Sequence, residues 1–143
     1  MYKKILVPLD GSELAKKTLQ HAEELAKTYA AEIILFQVAP PMPFNAAVPE
    51  SVLSVILEEK QKEVAETDLT KLAEEMKTRG HKVSAIVKKG QHVAVEIINF
   101  AKEQGVDLIV MRTHGHSGIT RWVLGSIAHK VLTRAETPIL LIH

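Results

Sequence analysis

The chain contains no cysteine among its 143 residues. That absence excludes disulfides, thiolate metal sites, iron–sulfur clusters and a cysteine nucleophile. Aromatics make up 4% of the sequence, so any core is built mostly from Val, Ile, Leu and Ala. Neither sign of charge is in excess: 18 Lys and Arg stand against 17 Asp and Glu, a formal net charge of +1. Such a balance offers no global attraction to nucleic acid or to an anionic membrane. No apolar run approaches the length of a membrane span. The start, MYKKILVPLDGS, does not read as a secretory leader, because its apolar run is short and acidic and glycine residues follow at once. The expectation is a cytoplasmic protein that partners neither nucleic acid nor membrane. The length suits one domain, expected to span residues 1–143.

What is present is an alternation of short apolar runs and amphipathic stretches. Residues 3–9 (KKILVPL) are closed by Asp10 and Gly11, the pattern of a buried strand ending in a turn. Ser12 is placed to cap a helix reaching about Tyr29, with Leu14, Leu19, Ala22, Leu25 and Ala26 as its apolar stripe. Residues 32–38 read as a second buried strand, and four prolines in residues 39–50 mark a loop. A long helix is expected over 51–79, with Val64, Leu69, Leu72 and Met76 inward and Gly80 as its stop. Residues 81–89 alternate more and suit a strand nearer a sheet edge. A helix over 92–104 stopped by Gly105, a buried strand over 107–111, a helix over 126–135 and a last strand over 138–142 complete the chain.

The order β-α-β-α-β-α-β-α-β, with strands apolar on both faces, predicts an α/β fold. It is a doubly wound, Rossmann-like, five-stranded parallel sheet with helices on both faces and right-handed crossovers. Ligands of such sheets bind beyond the carboxyl ends of the strands, where strand order reverses. With the order 3-2-1-4-5, that point lies between the loops after strands one and four.

The fourth loop is locally biased. From Leu108 to Ala135 there is no Asp or Glu, while Arg112, Arg121, Lys130 and Arg134 occur with His114, His116 and His129. Gly115, Gly118 and Gly125 allow backbone amides to approach a ligand closely. Gly125 and Ser126 open a helix, where unpaired amides and the dipole favour an anion. The functional reading is phosphate binding; the plain alternative is a helix cap beside solvated basic residues. The P-loop pattern, the dinucleotide fingerprint G-x-G-x-x-G and the nucleophile elbow G-x-S-x-G are all absent.

The stretches KKILVPLDGSELAKKTLQHAEELA, GVDLIVMRTHGHSG and WVLGSIAHKVLTRAETPILLI resemble the universal stress protein family over nearly the whole chain. Nucleotide-binding members of that family carry G-x2-G-x9-G-[ST]. Here Gly115 is the second glycine and Gly125 the third, followed by Ser126, while the first position holds Arg112. The resemblance implies an adenine nucleotide alpha hydrolase-like fold and an adenine nucleotide, ATP or AMP, between the loops after strands one and four. It implies that Pro8, Asp10 and Gly11 lie near the adenosine and that Val38 touches the adenine. It also implies that Gly115, His116, Gly125, Ser126 and Ile127 hold the phosphates, and that a homodimer forms through the last strand, which begins at Pro138 and ends at Ile142. Arg112 either obstructs the nucleotide or pairs with its phosphate.

Other constellations yield less. His114 and His116 form an H-x-H that lacks a legible third metal ligand, so a Mg²⁺ carried by the nucleotide is the simpler metal expectation. Asp10 suits a turn residue better than a base, and no Ser has a legible His–acid pair. No catalytic residue is assigned, and any ATP hydrolysis is expected to be slow. Three functional readings follow in order. They are a dimeric nucleotide-binding stress-response protein, a member acting through its dimer and partner surfaces without nucleotide, and a nucleotide-dependent enzyme.

Overall fold

In the computed structural model, residues 1–40, 52–114 and 124–143 are described. The strands are β1 (Lys4–Leu9), β2 (Glu32–Ala39), β3 (Lys82–Lys89), β4 (Leu108–Arg112) and β5 (Ile139–Ile142). The helices are α1 (Lys16–Tyr29), α2 (Val52–Thr78), α3 (Val93–Glu103) and α4 (Ser126–Arg134). All strand pairs are parallel and the sheet order is β3-β2-β1-β4-β5. The order 3-2-1-4-5 expected from the sequence is therefore observed, with β3 at an edge.

Each central strand is buried on both faces because successive side chains alternate between two apolar layers. Ile5, Val7, Ile33, Leu35 and Val110 pack with Leu19, Ala22, Leu69 and Met76 on the α1/α2 side. Leu6, Ile34, Phe36, Ile109 and Met111 pack with Ile97, Phe100, Ala128 and Val131 on the α3/α4 side. Phe36 stacks on Phe100 with centroids 4.4 Å apart. One row across the sheet, Ser84–Ile34–Leu6–Ile109–Ile139, fixes the register through its centre.

Asp107 ties the start of β1 to the start of β4. Its Oδ2 accepts the Lys3 amide at 2.8 Å and the Lys4 amide at 2.9 Å, and its own amide donates to the Lys4 carbonyl at 2.9 Å. One side chain thus accepts both amides at the entry to β1 and holds that entry against the head of β4.

Three details depart from the sequence reading. First, α1 begins at Lys16, behind a 3₁₀ turn over Glu13–Ala15, and Ser12 makes no side-chain cap. Leu14 sits in that turn, outside the helical period, and is 41% exposed. Second, Val64 is 54% exposed whereas Leu69 and Met76 are buried. At about 100° per residue, Val64 stands roughly 140° around the axis from Leu69. Third, α2 changes character along its length. Its second half buries Leu69, Ala73 and Met76, while Val52, Leu53, Val55 and Ile56 in its first two turns are exposed. The 27 residues of α2 run about 40 Å, against roughly 26 Å for the eight residues of β3. The ion pair of Glu59 with Lys89, the last residue of β3, marks where the helix outruns the sheet. No helix among the described residues is long and apolar enough to cross a membrane.

Two stability predictions follow from the backbone. Asp107→Ala leaves two strand amides without their acceptor and should lower unfolding free energy by about 1–3 kcal/mol, read from urea denaturation. Ala30, at the end of α1, has φ 53 and ψ 41, the left-handed region. That conformation costs a non-glycine residue about 1–2 kcal/mol, more than the entropy a glycine loses on folding. Ala30→Gly should therefore raise the melting temperature, and a lowered one would contradict the assignment.

Candidate functional site

The site arises where two central strands part. A strand turns its amides to alternate sides. The Lys3 carbonyl accepts from Glu32 of β2 and the Lys4 carbonyl from Asp107 at the head of β4. Lys4, Leu6 and Pro8 therefore address β4. Proline has no amide hydrogen, so the β1–β4 ladder loses a donor at Pro8. The pairing stops at Leu6↔Ile109. The β1–β2 ladder runs on to Leu9↔Gln37, and β4–β5 runs on to Arg112↔Ile142. Beyond Leu6 the two strands splay, at the point where the chain order reverses, and a cavity of about 290 Å³ opens between them.

One wall comes from the β1 end: Pro8, Leu9, Asp10 and Ala15. The Asp10 Oδ1 accepts both the Ser12 amide at 2.9 Å and the Ser12 hydroxyl at 2.5 Å. This Asx turn spends the hydroxyl that sequence reasoning assigned to a helix cap. Gly11 between them has φ +83, and a Cβ there would meet nothing closer than Gln37 Nε2 at 3.5 Å. Conformation, rather than space, requires the glycine.

The facing wall comes from the β4 end and α4: Met111, Arg112, Thr113 and His114, then Gly125 to Ala128. The Thr113 amide extends the ladder to the Ile142 carbonyl at 2.9 Å, and the Thr113 carbonyl accepts the Gly125 amide at 2.7 Å. That second bond sets the start of α4 against the end of β4. Gly125 has φ −59 and ψ 153, a conformation open to any residue. Since its amide is already bonded, the amides free for a ligand begin at Ser126, in the first turn of α4, where no intrahelical acceptors exist. Thr113 is buried, and its Oγ1 lies 3.1 Å from His114 Nδ1. Val93 and Ile97, one turn apart on α3, form an apolar floor.

The walls differ in chemistry. A carboxylate, Asp10, stands at the β1 end; Arg112, His114 and the positive end of α4 stand opposite. The Arg112 Nε and the His114 Nε2 are sealed from solvent and have no hydrogen-bond partner among the described residues. Outside this cavity, Lys88 of β3 pairs with Glu96 of α3 at 3.0 Å, and the hydrogen bond to that carboxylate holds the lysine above its ordinary pKa.

Six of the residues expected to bind nucleotide, Pro8, Asp10, Arg112, Gly125, Ser126 and Ile127, meet at this cavity, together with His114 of the H-x-H. Gly11 faces a neighbouring hollow of about 310 Å³ between α1 and α2, with Ser12, Gln37 and Asp68. Val38 does not border the cavity. It is 7% exposed and belongs to the apolar layer with Phe36 and Ala94, because the parity of β2 turns it under α3. Gly115 and His116 lie outside the described residues. Met111, Thr113, Val93 and Ile97 were not foreseen, although the two-residue period of β4 places Met111 and Thr113 on one face and the four-residue spacing of α3 pairs Val93 with Ile97. A larger hollow, about 620 Å³, lies at the amino ends of the strands beside Tyr2, Lys102 and Arg134 and contains none of the residues expected to bind nucleotide. Among the described residues no cluster of three His, Asp or Glu is arranged to hold a metal ion.

The arrangement has close counterparts. The universal stress protein MJ0531 of Methanocaldococcus jannaschii is 35% identical over 145 residues, covering 99% of this chain and 82% of that protein. The universal stress protein YxiE of Bacillus subtilis is 35% identical over 152 residues, covering 99% of each. The solved structure of MJ0577, from M. jannaschii, superposes with a TM-score of 0.85 at 32% identity, covering 99% of this chain and 96% of that one. Two solved universal stress proteins share the fold at lower identity and are complexes. One is bound to cAMP (22% identical, TM-score 0.73, covering 99% of this chain and 97% of that one). The other, from Archaeoglobus fulgidus, is bound to dAMP (20% identical, TM-score 0.66, covering 99% and 98%). The profile of the universal stress protein family matches residues 1–143. By fold, by overall identity and by that match, the chain belongs to the universal stress protein family.

Proposed function

We propose that this chain binds an adenine nucleotide, AMP or ATP, in the crevice between the ends of β1 and β4, and signals its occupancy as a homodimer. The splay of β1 and β4 past Pro8, which leaves a carboxylate on one wall and cationic groups on the other, carries the reading. A nucleotide has the same polarity: a ribose and base that offer hydroxyl and amine donors, and a phosphate that offers acceptors. Asp10 accepts from the ribose. Ser126 and Ile127 present first-turn amides to the phosphate, Ser126 adds its hydroxyl, and any Mg²⁺ arrives on the nucleotide. Gly115 and His116 complete the phosphate side as the motif spacing implies. The cAMP and dAMP complexes of the two relatives support an adenine ligand in this fold. No general base is assigned, so hydrolysis is slow where it occurs.

The second copy adds through β5. Its four residues are all half-buried, and it pairs with β4 alone. The Pro138 and Ile142 carbonyls face β4, so the amides of Ile139 and Leu141 face the open edge, ready for another strand.

Purified protein, denatured and chromatographed, should release an adenine nucleotide, or the empty protein should bind AMP or ATP by calorimetry. Bound ligand at a hundred times its Kd should add about 2.7 kcal/mol to unfolding free energy. A protein that is empty and also silent to both nucleotides would refute the reading. Light scattering on the eluting protein should give twice the chain mass. Leu141→Pro deletes an outward amide without touching the β4 ladder and should give the monomer mass; a persisting dimer would place the contact elsewhere.

A further inference from the structure

Arg112 is the last residue of β4 and is held in register opposite Ile142. Its Nε is sealed from solvent and finds no acceptor among the described residues, and the His114 Nε2 on the same wall is equally unpartnered. Buried polar groups in folded proteins are nearly always paired, because a buried group without a partner is costly. Two in one cavity wall leave donor capacity there unused, which a ligand rich in acceptors would take up. The surrounding sequence offers no ionised partner: no carboxylate occurs from Leu108 to Ala135. Asp10 stands on the opposite wall with its Oδ1 engaged by Ser12. Nor does the arginine plug the crevice. About 290 Å³ stays open beside it, close to the lower end, roughly 300 Å³, of ordinary ligand pockets.

The geometry points to Arg112 as the specificity-determining residue of this site: its guanidinium pairs with the ligand's phosphate, so the crevice selects phosphorylated adenine ligands over the bare nucleoside. This inference rests on the nucleotide reading above. A guanidinium is a planar fork of five donors that stays charged at any working pH, and it matches two oxygens of a phosphate at once. Arg112 as a whole is only half-buried and lines the cavity, so a phosphate there meets the exposed part of the guanidinium, and a small turn of the side chain toward it frees Nε from its sealed position. The first turn of α4 borders the same cavity, so side-chain and backbone donors converge on one anion. The glycine that nucleotide-binding relatives carry at this motif position has no such side chain. In this chain the side chain would add a charged phosphate contact that a glycine could not make.

The test is calorimetric titration of the wild type and of Arg112→Met, Arg112→Lys and Arg112→Gly with AMP and with adenosine. The wild type should bind AMP at least about tenfold more tightly than adenosine, as a charge-assisted pair requires. Arg112→Met and Arg112→Gly should weaken AMP and leave adenosine unchanged, collapsing the ratio. Arg112→Lys should keep part of it, since a point charge replaces the fork. Retained adenosine binding shows that each variant is folded. Tighter AMP binding by Arg112→Gly would mean that the side chain obstructs the crevice, and the inference would be wrong. Loss of both ligands in all three variants would show a structural role and overturn it as well. Equal affinity of the wild type for AMP and adenosine would sink the inference and leave the nucleotide reading standing. A wild type that binds neither would remove both.

Discussion

The crevice exists because one amide is missing. In a parallel sheet, neighbouring strands stay in contact as long as donors and acceptors keep alternating between them. Pro8 interrupts that alternation on the one side of β1 that faces β4, and the ladder ends at the row before it. The other ladders continue for several residues. Since β1 and β4 are also where the chain reverses its direction of travel across the sheet, the helices that follow them lie on opposite faces and do not close the gap. A proline at Leu6 would have broken the core, and one at Asp10 would have come after the strands had ended. The placement at residue 8 opens a site without unsealing the two apolar layers beneath it.

Everything else at the site is held by bonds that serve this opening. The Asx turn at Asp10 and Ser12 takes the chain sharply out of β1 and toward α1. The Thr113–Gly125 bond brings α4 back to the end of β4. Between them stand a carboxylate and a set of donors, separated by the width of the gap. At the opposite end of the same two strands, Asp107 clamps β1 to β4 with paired hydrogen bonds. The pair of strands is thus fastened at one end and parted at the other.

Much of this was legible in the sequence, for physical reasons. Apolar runs of five to eight residues separated by amphipathic stretches admit few layered folds, so the sheet and its order could be argued before any coordinates. The motif spacing around Gly115, Gly125 and Ser126 directed attention to the loop after β4, and Gly125 and Ser126 do border the cavity there. What the sequence conceals is direction. The resemblance implies that Val38 touches the adenine; strand parity sends its side chain into the apolar layer under α3, a direction that the sequence alone does not display. Val64 was assigned to the inner face of α2 from its apolar character, yet the helical turn carries it outward. Ser12 was read as a helix cap, and only the geometry of Asp10, which takes the Ser12 hydroxyl, shows it to be a turn partner instead. Arg112 stood out as a departure from a pattern, but its unpartnered Nε appears only when its neighbours in space are known.

The unequal halves of α2 carry a consequence for the order in which the molecule opens. Its second half is welded to the sheet through Leu69, Ala73 and Met76. The first two turns extend past the end of β3, where the exposed pair of Glu59 and Lys89 is a weak hold. The free energy to unwind a segment scales with the apolar surface it gives up, so this helix is not one cooperative unit but a gradient. Amide hydrogens from Val52 to about Glu58 should therefore exchange with solvent water before those around Met76, whose side chain is fully buried against the sheet.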